Sequence, residues 1–334
     1  MEFRKLPFII FNMYKFKPIL KSMLWGGERI IPYKGLQSEK KSVGESWEIS
    51  GVKDNESVVA EGPDAGMKLP ELIARDKEAL LGQSNYERFG KEFPLLIKFI
   101  DARQDLSIQV HPNDKQAWER HQSKGKTEMW YVVDAEPGSR LRSGFAKQVT
   151  PEEYEASIAD NTITGLLKEY DIHAGDVFFL PAGRIHSIGA GAFIAEIQQT
   201  SNITYRIYDF NRCDDNGNPR ELHTELSKAA IDYTVLPDYR TYYDAKDDTQ
   251  VLLASCRYFT TSLYRLTKPY SMNLAELDSF VVLICTKGSG TVTDESGSCV
   301  SIKQGESILI PAKARGVEIK PESGIELLSS WIEE

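Results

Sequence analysis

The sequence predicts a mainly β protein built as two small antiparallel barrels in tandem, with a small helical insert in the first. Three observations carry that prediction. Short runs rich in Val, Ile, Phe and Tyr recur along the chain, bounded by Gly, Pro, Asn and Asp, a spacing that suits sandwiches or barrels rather than a parallel βαβ sheet. Helical periodicity is confined to a few segments before residue 232. One phrase also occurs twice. At 173–186 (HAGDVFFLPAGRIH) and 302–314 (IKQGESILIPAKA), a Gly-acidic turn leads into four strand residues and then Pro-Ala. Two related barrels account for the repeat, and only the first copy ends in a histidine.

In chain order, strands are expected at 46–52, 93–100, 107–111, 128–134, 176–180 and 192–198, each a short apolar or alternating run. A second set is expected at 257–264, 279–286, 290–294, 307–311 and 324–331. A helix is expected at 69–81, with Leu69, Leu72, Ile73 and Leu80 on one face. Others are expected at 114–122, where Asp114 is the candidate cap, at 151–167, which opens Pro-Glu-Glu, and at 221–231 after a polar turn at 214–219. Residues 234–249 are polar and rich in Tyr and Asp, which reads as a linker. The expected division is therefore 1–240 and 241–334.

Composition narrows the function. Of 334 residues, 41% are apolar and 27% charged, a globular balance with material for a core. Forty-nine acidic residues against 40 basic ones give a net charge of −9. That argues against a nucleic-acid surface, which needs clustered Lys and Arg, but not against one small phosphorylated ligand. No run approaches the roughly 18–20 apolar residues of a membrane span. The amino terminus, whose apolar patch is interrupted by Asn12 and Lys15, does not read as a secretory signal. Cys213, Cys256, Cys285 and Cys299 have no close pairing, as expected of reduced thiols in a cytoplasmic protein. Any metal must then use other ligands.

The strongest constellation begins at 109–114 (QVHPND). Alternation puts Ser107, Gln109 and His111 on one strand face, and Pro112 ends the strand, so His111 stands near a rim. Glu128 enters another strand after Gly125-Lys126-Thr127, and His186 follows the Pro-Ala-Gly turn. Two imidazoles and a carboxylate with Gln109 as an oxygen donor suit a divalent cation, zinc best, with iron, manganese and cobalt open. Lys126 shares a strand face with Glu128, which suits proton transfer beside a cation. Glu196 ends an apolar run, where a carboxylate requires a polar cavity or an ion pair, with Arg206 the candidate partner. His121 reads as solvated, His173 as structural and His223 as a surface residue.

Six phrases, 18–27 (PILKSMLWGG), 44–50 (GESWEIS), 109–114, 125–128 (GKTE), 181–186 (PAGRIH) and 205–212 (YRIYDFNR), stand in an order and spacing that resembles type I mannose-6-phosphate isomerases. The resemblance is strongest to the short bacterial branch and runs from about residue 14 to the carboxyl terminus. It implies two cupin-type (jelly-roll) β-barrels and a zinc-dependent aldose–ketose isomerase of sugar phosphates. By motif position it implies His111, Glu128 and His186 as metal ligands, with Gln109 as a fourth. It further implies Arg206 as an active-site arginine, with Lys126 and Glu196 lining the pocket. Ser107, Lys98 and Arg212 are then expected to hold the phosphate, and Trp25, Trp47 and Glu48 to close one side. The chain departs from the family at Phe210-Asn211, often Trp-Gly, and at Ser187, often Ala. Expected partners are the sugar phosphate alone, with no nucleic acid or membrane, in a monomer or weak homodimer. Two other readings are a cupin metal-dependent oxygenase, which leaves the basic residues without a role, and a sugar-phosphate-binding cupin without turnover.

Overall fold

Period-two alternation is written into the central strands of the first unit, and both faces of those strands are buried. The computed structural model describes residues 12–213 and 216–333. The strands of the first part are β1 (Ile19–Gly27), β2 (Val43–Ser50), β3 (Leu95–Asp101), β4 (Ile108–Val110), β5 (Glu128–Ala135) and β6 (Arg140–Phe145), then β7 (Leu167–Asp171), β8 (Val177–Leu180), β9 (His186–Ile188), β10 (Ala192–Gln199), β11 (Tyr205–Tyr208) and β12 (Arg240–Thr241). They form a seven-stranded sheet, β1-β2-β3-β10-β5-β8-β12, and a five-stranded one, β11-β4-β9-β6-β7. From the large sheet, Ile100, Trp130, Val132, Phe178 and Ile194 pack with Leu141, Tyr170 and Ile188 of the small sheet. The alternate residues Ile97, Phe99, Met129, Tyr131, Ala195 and Ile197 face away, into a second core. A strand sandwiched in this way reads as continuously apolar, so a charge on the inner face, such as Lys98 or Glu196, stands out.

That second core is shared with the rest of the chain. It is lined by α1 (Ile30–Lys34), α2 (Leu69–Asp76), α3 (Glu78–Leu81) and α4 (Gln83–Phe89), and by Leu253, Phe259, Phe280, Val282, Ile284 and Leu328 from the carboxyl-terminal sheet. Three further helices, α5 (Asp114–His121), α6 (Pro151–Ala159) and α7 (Thr224–Ala230), lie toward the small sheet's end of the molecule. The carboxyl-terminal sheet comprises β13 (Gln250–Cys256), β14 (Phe259–Leu266), β15 (Tyr270–Asn273), β16 (Val281–Asp294), β17 (Cys299–Lys303), β18 (Ser307–Ile310) and β19 (Gly316–Trp331), in the order β13-β14-β19-β16-β17 with β15 on β19 and β18 on β16.

The mainly β class agrees with the sequence, but closed barrels do not: no sheet closes on itself among the described residues. The strands expected at 279–286 and 290–294 are one strand, β16. Irregular pairing between Cys285 and Lys287 and between Ser289 and Gly290 bends it without breaking it. The helix expected at 69–81 splits at Lys77, whose φ of 49° ends α2 and begins α3. That at 151–167 stops at Ala159, and that at 221–231 is the shorter α7. The cap of α5 is Asn113, whose side chain accepts from the Gln116 amide, rather than Asp114. The stretch expected as a linker contains β12 and the buried Tyr239.

Candidate active site

Strand register brings the site residues together. Gln109 on β4 pairs with His186 on β9 and with Arg206 on β11. On the facing sheet, Glu196 of β10 lies between Lys98 of β3 and Trp130 of β5, and Gln198 lies opposite Glu128. Glu128 in turn pairs with Leu180, the last residue of β8 before Pro181. The turn after Pro181 then carries the chain across to His186.

Both imidazoles are fixed by their Nδ1 atoms. Nδ1 of His111 donates to the Ile203 carbonyl at 2.9 Å, and Nδ1 of His186 to the Arg184 carbonyl at 2.8 Å. The tautomers follow from those acceptors. Each Nε2 keeps its lone pair and lies near Glu128, 3.5 Å from Oε2 for His111 and 3.2 Å from Oε1 for His186. One ligand atom from each of the three lies within 4.8 Å of the others. The Gln109 side-chain amide is 3.2 Å from His186 Nε2. Neither Glu128 oxygen accepts a hydrogen bond, although Lys126 Nζ lies 2.8 Å from Oε2. Burial, with the Lys126 ammonium nearby, holds both imidazoles well below their usual range and so neutral. Burial pushes the Glu128 carboxyl up, against the pull of Lys126. A fully buried carboxylate with unmet oxygens, facing two neutral imidazole lone pairs, is a donor set that fits a divalent cation.

Beside this cluster lies a cavity of about 380 Å³. Gln109 and Lys126 belong both to its wall and to the cluster, with Lys126 Nζ 3.1 Å from His111 Nε2. Lys21, Lys98, Lys126, Arg206 and Arg220 line it against two carboxylates, Glu45 and Glu196. A protein with a charge of −9 thus concentrates positive charge in one pocket. Glu196 accepts from Trp130 Nε1 at 2.9 Å and pairs with Lys98 Nζ at 3.1 Å. Burial opposes its ionisation, but Lys98 and Lys126 outweigh that and bring its carboxyl down to about 2. Lys98 is likewise held charged: burial works against it, and Glu45 and Glu196 prevail.

Comparison with known proteins agrees with this geometry. Residues 13–138 match the family "Phosphomannose isomerase type I, catalytic domain", and residues 248–329 match "Mannose-6-phosphate isomerase, cupin domain". The mannose-6-phosphate isomerase ManA of Bacillus subtilis is 34% identical over 300 residues, covering 89% of this chain and 92% of its own. The chain belongs to the type I phosphomannose isomerase family. The mannose-6-phosphate isomerase of Streptococcus mutans is 33% identical over 311 residues, covering 92% of this chain and 94% of its own. A crystal structure of the mannose 6-phosphate isomerase from Bacillus subtilis superposes with a TM-score of 0.85 at 30% identity, covering 95% of this chain and 99% of that one.

In this phosphomannose isomerase family member, Trp25, Lys98, Ser107, Gln109, Lys126, Glu196 and Arg206 all line the cavity. Two other residues expected there lie elsewhere. Glu48 follows the cavity-facing Trp47 on β2, so alternation turns its side chain away from the cavity. It pairs with Lys34 Nζ at 2.7 Å and accepts from Ser46 Oγ, while Lys34 also donates to the Gly305 carbonyl. Arg212 follows two residues with left-handed backbone, Phe210 and Asn211 at φ 55° and 54°. That turn sends its guanidinium back to Asp209 and to the Asp105 carbonyl. Glu196 does not pair with Arg206, whose Nη1 donates to the Glu221 carbonyl instead.

His121 is exposed as expected, and His173, read from the sequence as structural, is exposed too. His223 is half-buried, and its Nδ1 accepts the Arg206 amide at 3.0 Å. Lys21, Glu45, Asn202, Thr204 and Arg220 line the cavity without having been singled out. Glu45 was legible: it stands two residues before Trp47 on the same strand, and its carboxylate accepts from the Trp47 indole. Arg220 carries no local signal, because it arrives through a loop.

Proposed function

We propose that the protein interconverts D-mannose 6-phosphate and D-fructose 6-phosphate, with a zinc ion held by His111, Glu128 and His186 and by the Gln109 carbonyl oxygen. The observation that carries this reading is the buried His–Glu–His cluster at the edge of a cationic cavity in a member of this family. When bound, zinc supplies Lewis-acid polarisation of a sugar carbonyl. The remaining chemistry belongs to the chain. A base removes the C2 proton of the open-chain aldose, the electron pair forms the C1–C2 double bond, and the C1 oxygen gains a proton, giving a cis-enediol. Proton delivery to C1 and loss of the O2 proton leave the ketone at C2.

Lys126 and Glu196 are the groups that handle these protons. Glu196 is a weak base, since Trp130 and Lys98 hold its charge. Lys126 stands where the cavity meets the ligand cluster, and we assign it the exchange with substrate. Arg206 offers guanidinium donors to negative charge developing on the enediol oxygens. Ser107 and Lys98 hold the phosphate, and Trp25 forms part of the wall. The reading places a catalytic cupin unit at 1–240 and a smaller cupin unit without metal ligands at 241–334. It also places the enzyme in the cytoplasm as a monomer or weak homodimer. The four cysteines are all unpaired, and no helix among the described residues is long and apolar enough to cross a membrane.

The test is fructose 6-phosphate formation from mannose 6-phosphate by purified protein, chelated and then reloaded with zinc. Loss on chelation and recovery with zinc is expected. A folded, zinc-loaded protein that forms no fructose 6-phosphate overturns the activity, and turnover that survives complete chelation overturns the metal.

A further inference from the structure

We propose that Arg220 grips the phosphate of the substrate in this chain, with Asp209 as its positioning residue, and that Arg212 does not. The inference rests on the isomerase reading of the cavity and assigns its phosphate contact.

Three arginines surround one carboxylate at the end of β11. Asp209 Oδ1 accepts from Arg212 Nη2 at 2.5 Å and from Arg220 Nη2 at 2.6 Å, and Oδ2 accepts from Arg220 Nε at 2.7 Å. The carboxylate is buried. Burial opposes its charge, but the Arg220 and Arg212 hydrogen bonds outweigh that and keep it ionised. The remaining donors of Arg212 turn outward: Nε to the Asp209 carbonyl at 3.2 Å and Nη1 to the Asp105 carbonyl at 2.6 Å. Arg212 is thus a strut on the far side of Asp209. Arg220 meets the same carboxylate through its Nε and Nη2 edge, which leaves the Nη1 edge outside that pair, and it lines the cavity together with Arg206, Ser107, Asn202 and Thr204.

The charges support the assignment. Arg206 feels the repulsion of both Arg220 and Arg212, with Asp209 and Glu221 opposing it, and its Nε is buried without a hydrogen-bond partner. Among the described residues, Asp209 is the one carboxylate hydrogen-bonded to Arg212 and Arg220, and no carboxylate is hydrogen-bonded to Arg206. One negative charge set among three positive ones leaves an excess near that of a phosphate monoester, which carries about −1.5 to −2 at neutral pH. A guanidinium fixed along one edge by a bidentate carboxylate keeps its plane, which suits recognition of a tetrahedral oxyanion more than a mobile lysine would.

The experiment measures inorganic phosphate binding to the zinc-loaded protein by titration calorimetry, and mannose 6-phosphate kinetics, for the wild type and for R220M, R220K and R212M. Metal content and melting temperature are recorded in parallel. R220M is expected to weaken phosphate binding and raise KM by roughly 10- to 100-fold with metal retained and kcat changed far less. R220K, which keeps the charge and loses the fork, is expected to fall between, and it carries the test if R220M does not fold. Wild-type phosphate affinity in R220M, or a larger loss in R212M than in R220M, overturns the proposal. Absence of turnover in the wild type counts against the isomerase reading, while the calorimetry still reports on Arg220.

Discussion

In β10, Glu196 lies between Lys98 of β3 and Trp130 of β5; in β19, Ser329 lies between Ser262 of β14 and Leu283 of β16. Two residues before Trp130, Glu128 pairs with Leu180 ahead of Pro181. Two residues before Leu283, Val281 pairs with Ile310 ahead of Pro311. The two halves therefore build the same ladder, and its equivalent positions read Glu128, Lys98 and Glu196 in one half against Val281, Ser262 and Ser329 in the other. The second ladder also encloses a pocket, about 260 Å³ and lined by Tyr264, Met272, Val281, Ser329 and Trp331, yet it offers no histidine. Val281, Leu283, Ile308, Ile310 and Leu327 belong there to a continuous apolar cluster. The ladder supplies positions, and the side chains decide whether a position stabilises the fold or does chemistry. Burying Lys98, Glu128 and Glu196 opposes folding unless each finds a partner. The first half accepts that penalty and the second avoids it.

Exchanging the equivalent carboxylate and valine gives the largest expected effects. Glu128→Ala is expected to abolish stoichiometric zinc binding, read by elemental analysis, and turnover with it. Val281→Glu puts a carboxylate into an apolar cluster with no imidazole to meet it, and a loss of about 3 kcal/mol or more in denaturant unfolding is expected. A Glu128→Ala protein that keeps full zinc, or a Val281→Glu protein as stable as the parent, breaks the comparison.

The His111–Glu128–His186 cluster was legible in the sequence because histidines and a carboxylate stood at strand ends, next to Pro112 and after Pro181, where few core residues are polar. The expectation for Glu48 ran against plain alternation: with Glu45 and Trp47 on the cavity face of β2, Glu48 belongs with Ser46 on the other, beneath α1, and the bulge after Trp47 only turns Ile49 to that face as well. Arg212 carried no such signal. The direction of Arg212 depends on two consecutive left-handed residues, and one of them, Phe210, is a type that seldom adopts that backbone. The mainly β class was legible, and the repeated phrase falls on equivalent strands of the two ladders. Closure into barrels was not legible, because sequence repeats report pairing within a strand set and not whether its edges meet. The unit boundary was drawn where polarity rises, whereas the core runs across it: Phe280 packs on Phe93 with ring centroids 4.8 Å apart.

Two buried Lys–Glu pairs sharpen the contrast at an intermediate size. Lys98–Glu196 faces the cavity, whereas Lys34–Glu48 faces the opposite side and ties the first half to Gly305 of the second. Removing either lysine strands a buried carboxylate, at a cost of about 3–5 kcal/mol. Lys98→Met is expected to lower both stability and kcat/KM, since the cavity also loses a cation. Lys34→Met is expected to lower stability alone, with kinetics measured below the melting transition close to those of the parent. A kinetic defect in Lys34→Met as large as that in Lys98→Met contradicts the placement of Glu48 outside the site.

The smallest effect concerns how the two halves are joined at α4. Gly82, at φ 93°, brings the chain so near the second half that a Cβ there would stand 2.2 Å from the Asp278 carbonyl oxygen. The Asp278 carboxylate then accepts the first free amides of the helix, from Gln83 at 2.7 Å and from Ser84 at 2.9 Å. Burial pushes this carboxyl up, but the two backbone donors prevail and hold it below its usual range. A carboxylate whose pKa is lower folded than unfolded stabilises fully above its unfolded value, about 3.9 for Asp, and that stability is lost as pH falls through the folded value. Asp278 is exposed and screened, so Asp278→Asn is expected to lose less than about 1 kcal/mol near neutrality. The difference from the parent should close as pH falls below about 4. Denaturant unfolding at neutral and acid pH measures it. A gap of the same size at both would show that the side chain acts through shape, not charge, and that the seam between the halves is held by packing alone.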